Sequence, residues 1–183
     1  RLANLLGIEH VITTEGHAGT EFAKGLDPAE QRLVIREKLQ APLRWAEELG
    51  ITLLMETHGP VTDDVDAMEA LLDELGHEDT IGVCLDTGNS WLGGADPKDY
   101  IERFGNRIGH VHWKDLEPKW REKRGSLYGI GFATIALGDG IVDLPGLVSA
   151  LEDIGYDGCT TLEIAGEDNI RKSAERLREW SQS

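Results

Sequence analysis

Short apolar runs alternate with amphipathic segments along this chain of 183 residues. The runs that we predict to be strands lie at 8–14, 51–58, 81–86, 108–114 and 159–164. The segments that we predict to be helices lie at 28–49, 63–75, 97–104, 143–154 and from about 168 onward. Strands that alternate with helices form a parallel sheet with right-handed crossovers, so this order predicts an α/β fold.

The number of predicted strands indicates a partial barrel. A closed (β/α)8 TIM barrel needs eight strands and about 250 residues, whereas this chain offers five predicted strands. We therefore predict one domain over residues 1–183 that corresponds to the C-terminal five βα units of such a barrel. The chain starts abruptly at Arg1, without an initiating methionine, so we expect about 80 further residues to precede it in the native protein.

The charge balance limits the partners of the protein. Asp and Glu number 34 against 18 Lys and Arg, which gives a formal net charge of -16. A surface field of that sign repels nucleic acids and anionic membranes. Cys84 and Cys159 both lie in apolar runs, and no run approaches the roughly 20 residues that span a bilayer. We therefore predict two buried, reduced thiols in a cytoplasmic protein.

Four of the predicted strands end in a side chain that can bind a metal ion. These side chains are Glu56, Asp86, His112 and Glu163. Because the carboxyl ends of parallel barrel strands meet at one rim, the four are placed to converge on one cation. Three carboxylates and one imidazole favour a hard divalent ion, and we expect Mn²⁺ in preference to Mg²⁺, Co²⁺ or Zn²⁺.

The ordered motifs at these strand ends resemble the xylose isomerase-like TIM-barrel superfamily, the group of sugar phosphate isomerases and epimerases that also contains abasic-site endonucleases. The matching motifs are Glu-x-His at 56–58, LDTGN at 85–89, HVHWKD at 110–115, LGDGIVDLPGLVSALEDIGYDG at 137–158 and TLE at 161–163. The resemblance implies that the metal ligands are Glu56, Asp86, His112 and Glu163. It also implies that the first strand of this chain is the fourth strand of the barrel.

The resemblance further implies a reaction that begins with proton transfer next to a carbonyl. A cation that binds a carbonyl and the neighbouring hydroxyl makes the shared carbon more acidic and stabilises the enediolate. Glu56 and Glu163 enter from separate strands, so one can remove the proton and the other can return one. Epimerisation, aldose–ketose isomerisation and dehydration by loss of a β-hydroxyl all stay open, because the same site can host each of them.

Two departures from the family pattern narrow the choice of branch. Ketose 3-epimerases carry a histidine three residues after the aspartate and Gly-Glu after the ligand histidine, whereas this chain has Asn89 and Trp113-Lys114-Asp115. The chain is therefore more similar to inosose dehydratases and general sugar isomerases. Because the chain shows no glycine-rich phosphate cradle, we expect an unphosphorylated sugar, keto-sugar or inosose as substrate.

Strand parity selects the side chains for substrate contact. His58 shares a strand face with Glu56, and Lys114 shares one with His112, because alternate residues of a strand point to the same side. We predict that His58, Asn89 and Lys114 bind substrate. The alternative for that lysine is a salt bridge to a neighbour such as Asp115.

Several residues near the predicted rim have less specific interpretations. We expect His110 to be a core histidine that is hydrogen-bonded inside the barrel, and Trp113 to face the helices. The long connection at 116–140 is interpreted as a substrate lid or as a solvated loop, with neither favoured. The glycine-rich loop at 15–25 contains His17, which is as easily a substrate contact as an ordinary loop residue.

Two other functions compete with a sugar isomerase or dehydratase. An abasic-site endonuclease would need further histidine ligands, but Asn89 stands where one is expected, and the net charge of -16 opposes DNA binding. A non-catalytic, truncated barrel would keep the ligands without closing. Its two sheet edges would have to be covered or to pair with another chain, which is why a homo-oligomer is also considered.

Overall fold

Five parallel strands form one sheet, in the order in which they occur along the chain. The computed structural model describes residues 1–16 and 25–182. Its strands are β1 (His10–Thr13), β2 (Thr52–Glu56), β3 (Ile81–Asp86), β4 (Ile108–Trp113) and β5 (Thr160–Leu162). Its helices are α1 (Leu2–Leu5), α2 (Pro28–Leu49), α3 (Val65–Leu75), α4 (Thr87–Gly93), α5 (Pro97–Phe104), α6 (Leu144–Asp153) and α7 (Glu167–Trp180). The predicted loop at 15–25, including His17, lies largely outside the described residues.

The sheet is an open section of a (β/α)8 barrel, so the predicted fold class is confirmed. The bounds predicted from the sequence agree with those of α2, β3 and α5. α4 was not predicted, because its start follows directly on β3 and its seven residues are too few to show a helical period. Short 3₁₀ helices occupy Gly105–Arg107 and Pro118–Lys123, the second of them inside the long connection after β4.

The long helix α2 shows why the sequence predicted its ends so well. Asp27 accepts a hydrogen bond from the Glu30 backbone N–H while the Glu30 side chain accepts one from the Asp27 N–H, which forms a capping box. Pro28 fits the first turn, and Gly50 ends the helix with a φ of 64°, a conformation that glycine adopts without strain. Among the described residues, no helix is long and apolar enough to cross a membrane.

The hydrophobic core lies between the sheet and the helices. All six residues of β3 are buried, and α3 adds the buried side chains of Met68, Leu71 and Leu72. Trp113 is only 3% exposed and belongs to this core, which confirms the prediction that it faces the helices. Burial of one large aliphatic side chain stabilises a fold by about 1.5–3 kcal/mol, so this layer holds the strands in place.

The strand register places the ends of four strands on one face of the sheet. At the level of the site the paired residues are Glu56 with Cys84, Asp86 with His112, and His112 with Thr161. Asp86 lies two residues beyond Cys84, and Glu163 lies two residues beyond Thr161. Each ligand position is therefore paired with another one or lies two residues from the partner of one. Because alternate residues of a strand point to the same side, the four predicted ligand positions share the face that points into the barrel.

A register shift between β3 and β4 contributes to this arrangement. Val83 pairs with Ile108, but the next residue, Cys84, pairs with His110. Gly109 is therefore an additional residue in β4, as in a β-bulge. The shift changes which residues of β4 point into the barrel from this position onward.

The shift determines which β4 side chain reaches the site. A regular ladder would place Val111 opposite Asp86, whereas the shifted one places His112 there. A Cβ atom at position 109 would lie 2.8 Å from the Leu54 Cδ2 atom, so a larger residue there would force the buried Leu54 side chain to shift. The sequence pattern alone does not reveal this bulge.

The two edges of the sheet differ from its centre in exposure. Thr160 and Thr161 in β5 are exposed, and β1 contains no buried residue. Cys84 is buried in β3, as predicted, but the prediction of a second buried thiol is wrong, because Cys159 is exposed where the chain enters the edge strand β5. An apolar run can thus be a solvent-facing edge as well as a core strand.

Candidate metal centre

The structure brings the four predicted ligands together at the carboxyl rim of the sheet. Glu56, Asp86, His112 and Glu163 each offer one ligand atom, and these atoms all lie within 4.8 Å of one another. The first two are the last residues of β2 and β3, the histidine lies in β4, and Glu163 directly follows β5. Side chains from four different strands therefore form a group that could hold one metal ion.

His112 lies between the two glutamates of the set. Its Nδ1 atom is 3.3 Å from Glu56 Oε1 and 3.4 Å from Glu163 Oε1. The Glu163 side chain is 22% exposed and the Glu56 side chain 10% exposed. The two carboxylates thus lie near the same imidazole nitrogen, and Glu163 is the more open to solvent.

The donor set fits a divalent cation. Three carboxylates and one imidazole supply oxygen and nitrogen atoms, which suit Mn²⁺, Mg²⁺, Co²⁺ or Zn²⁺. Within residues 1–16 and 25–182, buried Asp86 Oδ2 accepts no hydrogen bond of normal geometry, although the Lys114 ammonium lies 2.9 Å away. A buried carboxylate oxygen in this state is available to a cation.

The charges around Glu56 keep it ionised. Burial raises the pKa of this carboxyl, but hydrogen bonds from His112 and His58 outweigh that effect and lower its pKa to about 2. The pKa of His58 is raised, chiefly by its hydrogen bond to Glu56. Burial lowers the pKa of His112, yet the hydrogen bond to Glu56 and the nearby carboxylates raise it overall. The centre therefore carries a negative potential that attracts cations.

Lys114 is the buried cation of this centre. Its Nζ atom lies 2.9 Å from Asp86 Oδ2 and 2.8 Å from Glu163 Oε2. It also donates hydrogen bonds to Asn89 Oδ1, at 3.3 Å, and to the Ile130 carbonyl, at 3.0 Å. Burial raises the pKa of the Asp86 carboxyl, and Lys114 partly offsets this rise. The lysine thus contacts two of the ligands and the long loop after β4.

Asp115 does not pair with Lys114, so the salt bridge predicted as the alternative for that lysine forms with Asp86 and Glu163 instead. The Asp115 carboxylate instead accepts hydrogen bonds from five backbone N–H groups. They belong to Leu116, Gly138, Gly140, Ile141 and Val142. This aspartate therefore joins the two ends of the long loop next to the site.

Asp86 also organises the helix that follows it. Its Oδ1 atom accepts hydrogen bonds from the N–H groups of Gly88 and Asn89, at 2.9 and 2.7 Å, and so caps α4. Glycine is needed at position 88, because a Cβ atom there would lie 2.8 Å from the Lys114 Cγ atom. The LDTGN motif thus provides a ligand, a helix cap and room for the lysine.

Asn89 connects the other predicted substrate-binding residues to the long loop. Its Nδ2 atom lies 3.1 Å from His58 Nδ1, and its Oδ1 atom accepts hydrogen bonds from Lys114 Nζ and from the Ile130 N–H. Gly129, with a φ of 59°, packs against the His58 ring, where a Cβ atom would lie 2.5 Å from Nε2. Part of the loop interpreted as a lid or a solvated excursion therefore lies against the site.

Among the three residues predicted to bind substrate, only His58 is partly open. Its side chain is 25% exposed, whereas Asn89 and Lys114 are fully buried. His110 lies deeper in the barrel and its Nε2 atom is 2.8 Å from Thr161 Oγ1, but the pair faces solvent. His110 is thus hydrogen-bonded as predicted, although it is not a core residue of the open sheet.

Two acidic residues near the site were not predicted from the sequence to be site residues. Glu15, after β1, accepts hydrogen bonds from the loop that follows β2. Asp63, in that loop, is 2% exposed, and both of its carboxylate oxygens are without a hydrogen bond in the described part of the chain. Burial and nearby carboxylates raise the pKa of Asp63 to about 9. No local pattern marks either residue, because their burial depends on contacts between separate loops.

The chain belongs to the xylose isomerase-like TIM-barrel family, whose model matches residues 1–180. The resemblance that the strand-end motifs indicated is thereby confirmed. An inosose dehydratase from Lacticaseibacillus casei is 29% identical over 129 residues, which are 64% of this chain and 42% of that protein. The chain thus spans about two fifths of the length of this curated relative.

Two solved structures share the fold. A D-tagatose 3-epimerase-like protein matches with a TM-score of 0.80 and 21% identity, over 98% of this chain and 64% of that chain. The IolI protein, which was solved with a bound zinc atom, matches with a TM-score of 0.72 and 19% identity, over 98% of this chain and 62% of that one. At these identities the likeness establishes the barrel architecture alone.

Proposed function

We propose that this chain carries the metal centre of a sugar isomerase or epimerase that transfers a proton next to a carbonyl group. The observation that carries the proposal is the convergence of three carboxylates and one imidazole within 4.8 Å at the carboxyl rim. Enzymes built on such barrels hold their catalytic groups at this rim. The family membership supports the same reading, since relatives and fold neighbours are named as sugar and inosose enzymes.

The proposed cofactor is one divalent ion held by Glu56, Asp86, His112 and Glu163. When bound, such an ion polarises the carbonyl and hydroxyl oxygens of a substrate and so acidifies the carbon between them. We favour Mn²⁺ because oxygen donors predominate, and Zn²⁺ has support from the zinc atom in the IolI structure.

Glu56 and Glu163 are the proposed proton-transfer residues. Glu56 Oε1 and Glu163 Oε1 lie 3.3 and 3.4 Å from His112 Nδ1, so both carboxylates can reach a substrate carbon held at this centre. The greater exposure of Glu163 favours it as the group that accepts the first proton from an incoming substrate. Return of a proton to the opposite face of that carbon would invert its configuration.

The proposed substrate contacts differ in kind. His58 is partly exposed beside Glu56, with its Nδ1 atom 3.6 Å from Glu56 Oε1, and can donate directly to a substrate hydroxyl. Lys114 and Asn89 are buried, and we propose that they form the floor of the substrate site. From there the lysine can stabilise negative charge on a substrate oxygen, while the asparagine orients His58.

Dehydration of an inosose is the second candidate, and the curated relatives favour it. In this reaction one carboxylate accepts the proton from the carbon next to the carbonyl. The hydroxyl on the adjacent carbon then leaves as water and takes with it the proton that this carboxyl group has just accepted, while a carbon–carbon double bond forms. Both candidates share the first step, so they differ in whether the substrate loses its hydroxyl group.

Solvent-exchange measurements test this proposal. The Mn²⁺-loaded protein is incubated in D₂O with unphosphorylated sugars, keto-sugars and inososes, and the products are examined by NMR. A deuterated isomer or epimer of the substrate supports isomerisation or epimerisation, and a product that has lost water supports the lyase. Glu163→Gln is expected to abolish exchange while metal stays bound, and Glu167→Gln, on exposed α7, is the matched control. Full exchange in Glu163→Gln would remove Glu163 from the proton-transfer role.

A further inference from the structure

One carboxylate at the rim belongs to none of the four ligand positions, yet backbone N–H groups hold it in place. Glu15 lies two residues beyond the end of β1, and its Oε2 atom accepts hydrogen bonds from the N–H groups of Thr62, at 2.6 Å, and Val61, at 3.1 Å. Both N–H groups belong to the loop between β2 and α3. Hydrogen bonds that involve a charged group are the stronger ones in proteins.

The loop is shaped to admit this side chain. A Cβ atom at Gly59 would lie 2.3 Å from Glu15 Cδ and 2.4 Å from its Oε1 atom. The φ of Gly59 is not positive, so glycine is needed there for space and not for backbone conformation. The carboxylate therefore fills a place that the backbone of residues 59–62 leaves open.

The same loop sets the position of His58. The His58 N–H donates to Thr62 Oγ1 at 3.0 Å, and the Thr62 carbonyl accepts a hydrogen bond from the buried Tyr100 hydroxyl at 2.9 Å. Thr62 thus touches Glu15, His58 and Tyr100 through different atoms. A change at Glu15 would reach His58 through a single residue.

We propose that Glu15 is a positioning residue, which fixes the loop at residues 59–62 so that His58 stands beside Glu56. We use the name Glu15 clamp for the Glu15 carboxylate together with the Val61 and Thr62 N–H groups that donate to it. The clamp gives β1 a part in the site, although this strand supplies no metal ligand. Its effect on turnover rests on the proposed function, whereas its effect on the loop and on His58 does not.

Variants of Glu15 separate a positioning role from a proton-transfer role. In Glu15→Gln the amide oxygen can still accept from both N–H groups, so the clamp persists without an ionisable group. In Glu15→Ala it is lost. We expect Glu15→Ala to lower kcat/KM about tenfold or more, and Glu15→Gln to restore most of it. Exposed Glu9→Ala is the matched control. A loss in Glu15→Gln equal to that in Glu15→Ala would overturn the positioning role.

Gly59→Ala perturbs the clamp from the other side. Its Cβ atom would displace the Glu15 carboxylate, so it should reproduce the defect of Glu15→Ala. The double variant should be no worse than Glu15→Ala alone, because removal of the glutamate side chain makes room for the added methyl group. Additive defects in the double variant would contradict the clamp.

NMR tests the clamp without any substrate. In Glu15→Ala we expect about tenfold faster hydrogen exchange at the Val61 and Thr62 amides and shifted His58 ring signals, with both restored in Glu15→Gln. Wild-type exchange rates and ring signals in Glu15→Ala would overturn the proposal. Absence of turnover in the wild-type protein would instead count against the proposed function, and the NMR result would still decide on the clamp.

Discussion

The centre and the edge of the sheet hold the proposed ligands in different ways. β3 is buried at all six residues, and its last residue, Asp86, is fully buried. β5 has three residues and is largely exposed, yet Glu163 directly after it joins the same cluster. The hydrophobic core holds Asp86 at the centre of the sheet, so other contacts must hold Glu163 at its edge.

Backbone pairing on both sides holds the edge at the level of the site. The Glu163 N–H donates to the Trp113 carbonyl in β4, and the Glu163 carbonyl accepts from the Ala133 N–H in the long loop. The Ala165 N–H in turn donates to the Ala133 carbonyl, which makes a parallel bridge between Ala133 and Ile164. At this level the loop takes the place of a further strand, so the comparison teaches that the loop is part of the scaffold of the site.

The largest expected effect on the free energy of unfolding comes from removal of the buried Lys114 charge. Lys114→Met removes the ammonium that faces Asp86 and Glu163, so metal-free protein should lose about 3 kcal/mol or more of unfolding free energy. Mn²⁺ should restore part of this loss, because it supplies positive charge to the same carboxylates. Urea unfolding with chelator and with Mn²⁺ measures both effects.

A surface lysine provides the control for this variant. Lys172 pairs with Asp139 at 2.8 Å, but its side chain is 47% exposed. Lys172→Met should therefore change the unfolding free energy by less than about 1 kcal/mol, with or without Mn²⁺. Equal losses in the two variants would show that Lys114 is not a buried charge partner.

The next largest effect concerns the loop that supports the edge. Asp115→Asn places an NH₂ group against backbone N–H donors, so we expect a loss of about 2 kcal/mol. Hydrogen exchange at residues 138–142 should accelerate as well. Exposed Asp153→Asn at the end of α6 is the control, and unchanged exchange in Asp115→Asn would mean that this carboxylate does not anchor the loop.

A smaller effect should appear in the pH dependence of stability. The pKa of Asp63 is about 9 in the folded chain against 3.8 for a free aspartate, so the unfolded state loses this proton first as pH rises. Protonated Asp63 therefore favours the folded chain most at low pH, and this contribution to the free energy of unfolding is lost as the pH rises from about 4 to 9. Asp63→Asn should abolish that fall, so the stability of this variant relative to the wild type should rise with pH over this range in metal-free protein.

Unfolding at several pH values checks this sign. Exposed Asp99→Asn, from the first turn of α5, should keep the pH dependence of the wild type. A steeper fall of stability with pH in Asp63→Asn than in the wild type would contradict the burial of a protonated Asp63.

The smallest effect on stability, and the simplest contrast between edge and centre, comes from the two thiols. Cys159 is exposed at the edge, whereas Cys84 is buried and burial raises the pKa of its thiol. One thiol per native chain should react quickly with a thiol reagent, and two should react in denaturant. Cys159→Ser should remove the fast reaction and change the unfolding free energy by less than about 0.5 kcal/mol. A fast phase that persists would place Cys84 at the surface.

The sequence was a good guide wherever the information is local. Capping residues and the glycine past its end defined α2, and strand parity put Glu56, Asp86, His112 and Glu163 on one face. These features depend on a few neighbouring residues and on the regular geometry of parallel strands.

What the sequence did not reveal depends on contacts between distant segments. The extra residue at Gly109, which aligns His112 with Asp86, is visible only in the pairing of two strands. The roles of Asp115 and Glu15 depend on backbone groups in other loops, and the exposure of Cys159 depends on which strand forms the edge. Hydrogen-bond donors of the backbone leave no mark in the amino-acid sequence, so such contacts need a structure.

Titration of the metal-free protein with Mn²⁺ by calorimetry tests the central claim most directly. The account predicts one ion per chain, with binding abolished or weakened at least about a hundredfold in His112→Gln. His110→Gln is the matched control, since this histidine lies on the same strand face with its ring centre 5.2 Å from that of His112, and it should bind Mn²⁺ like the wild type. Absence of binding, or equal binding by both variants, would contradict a metal centre built from Glu56, Asp86, His112 and Glu163.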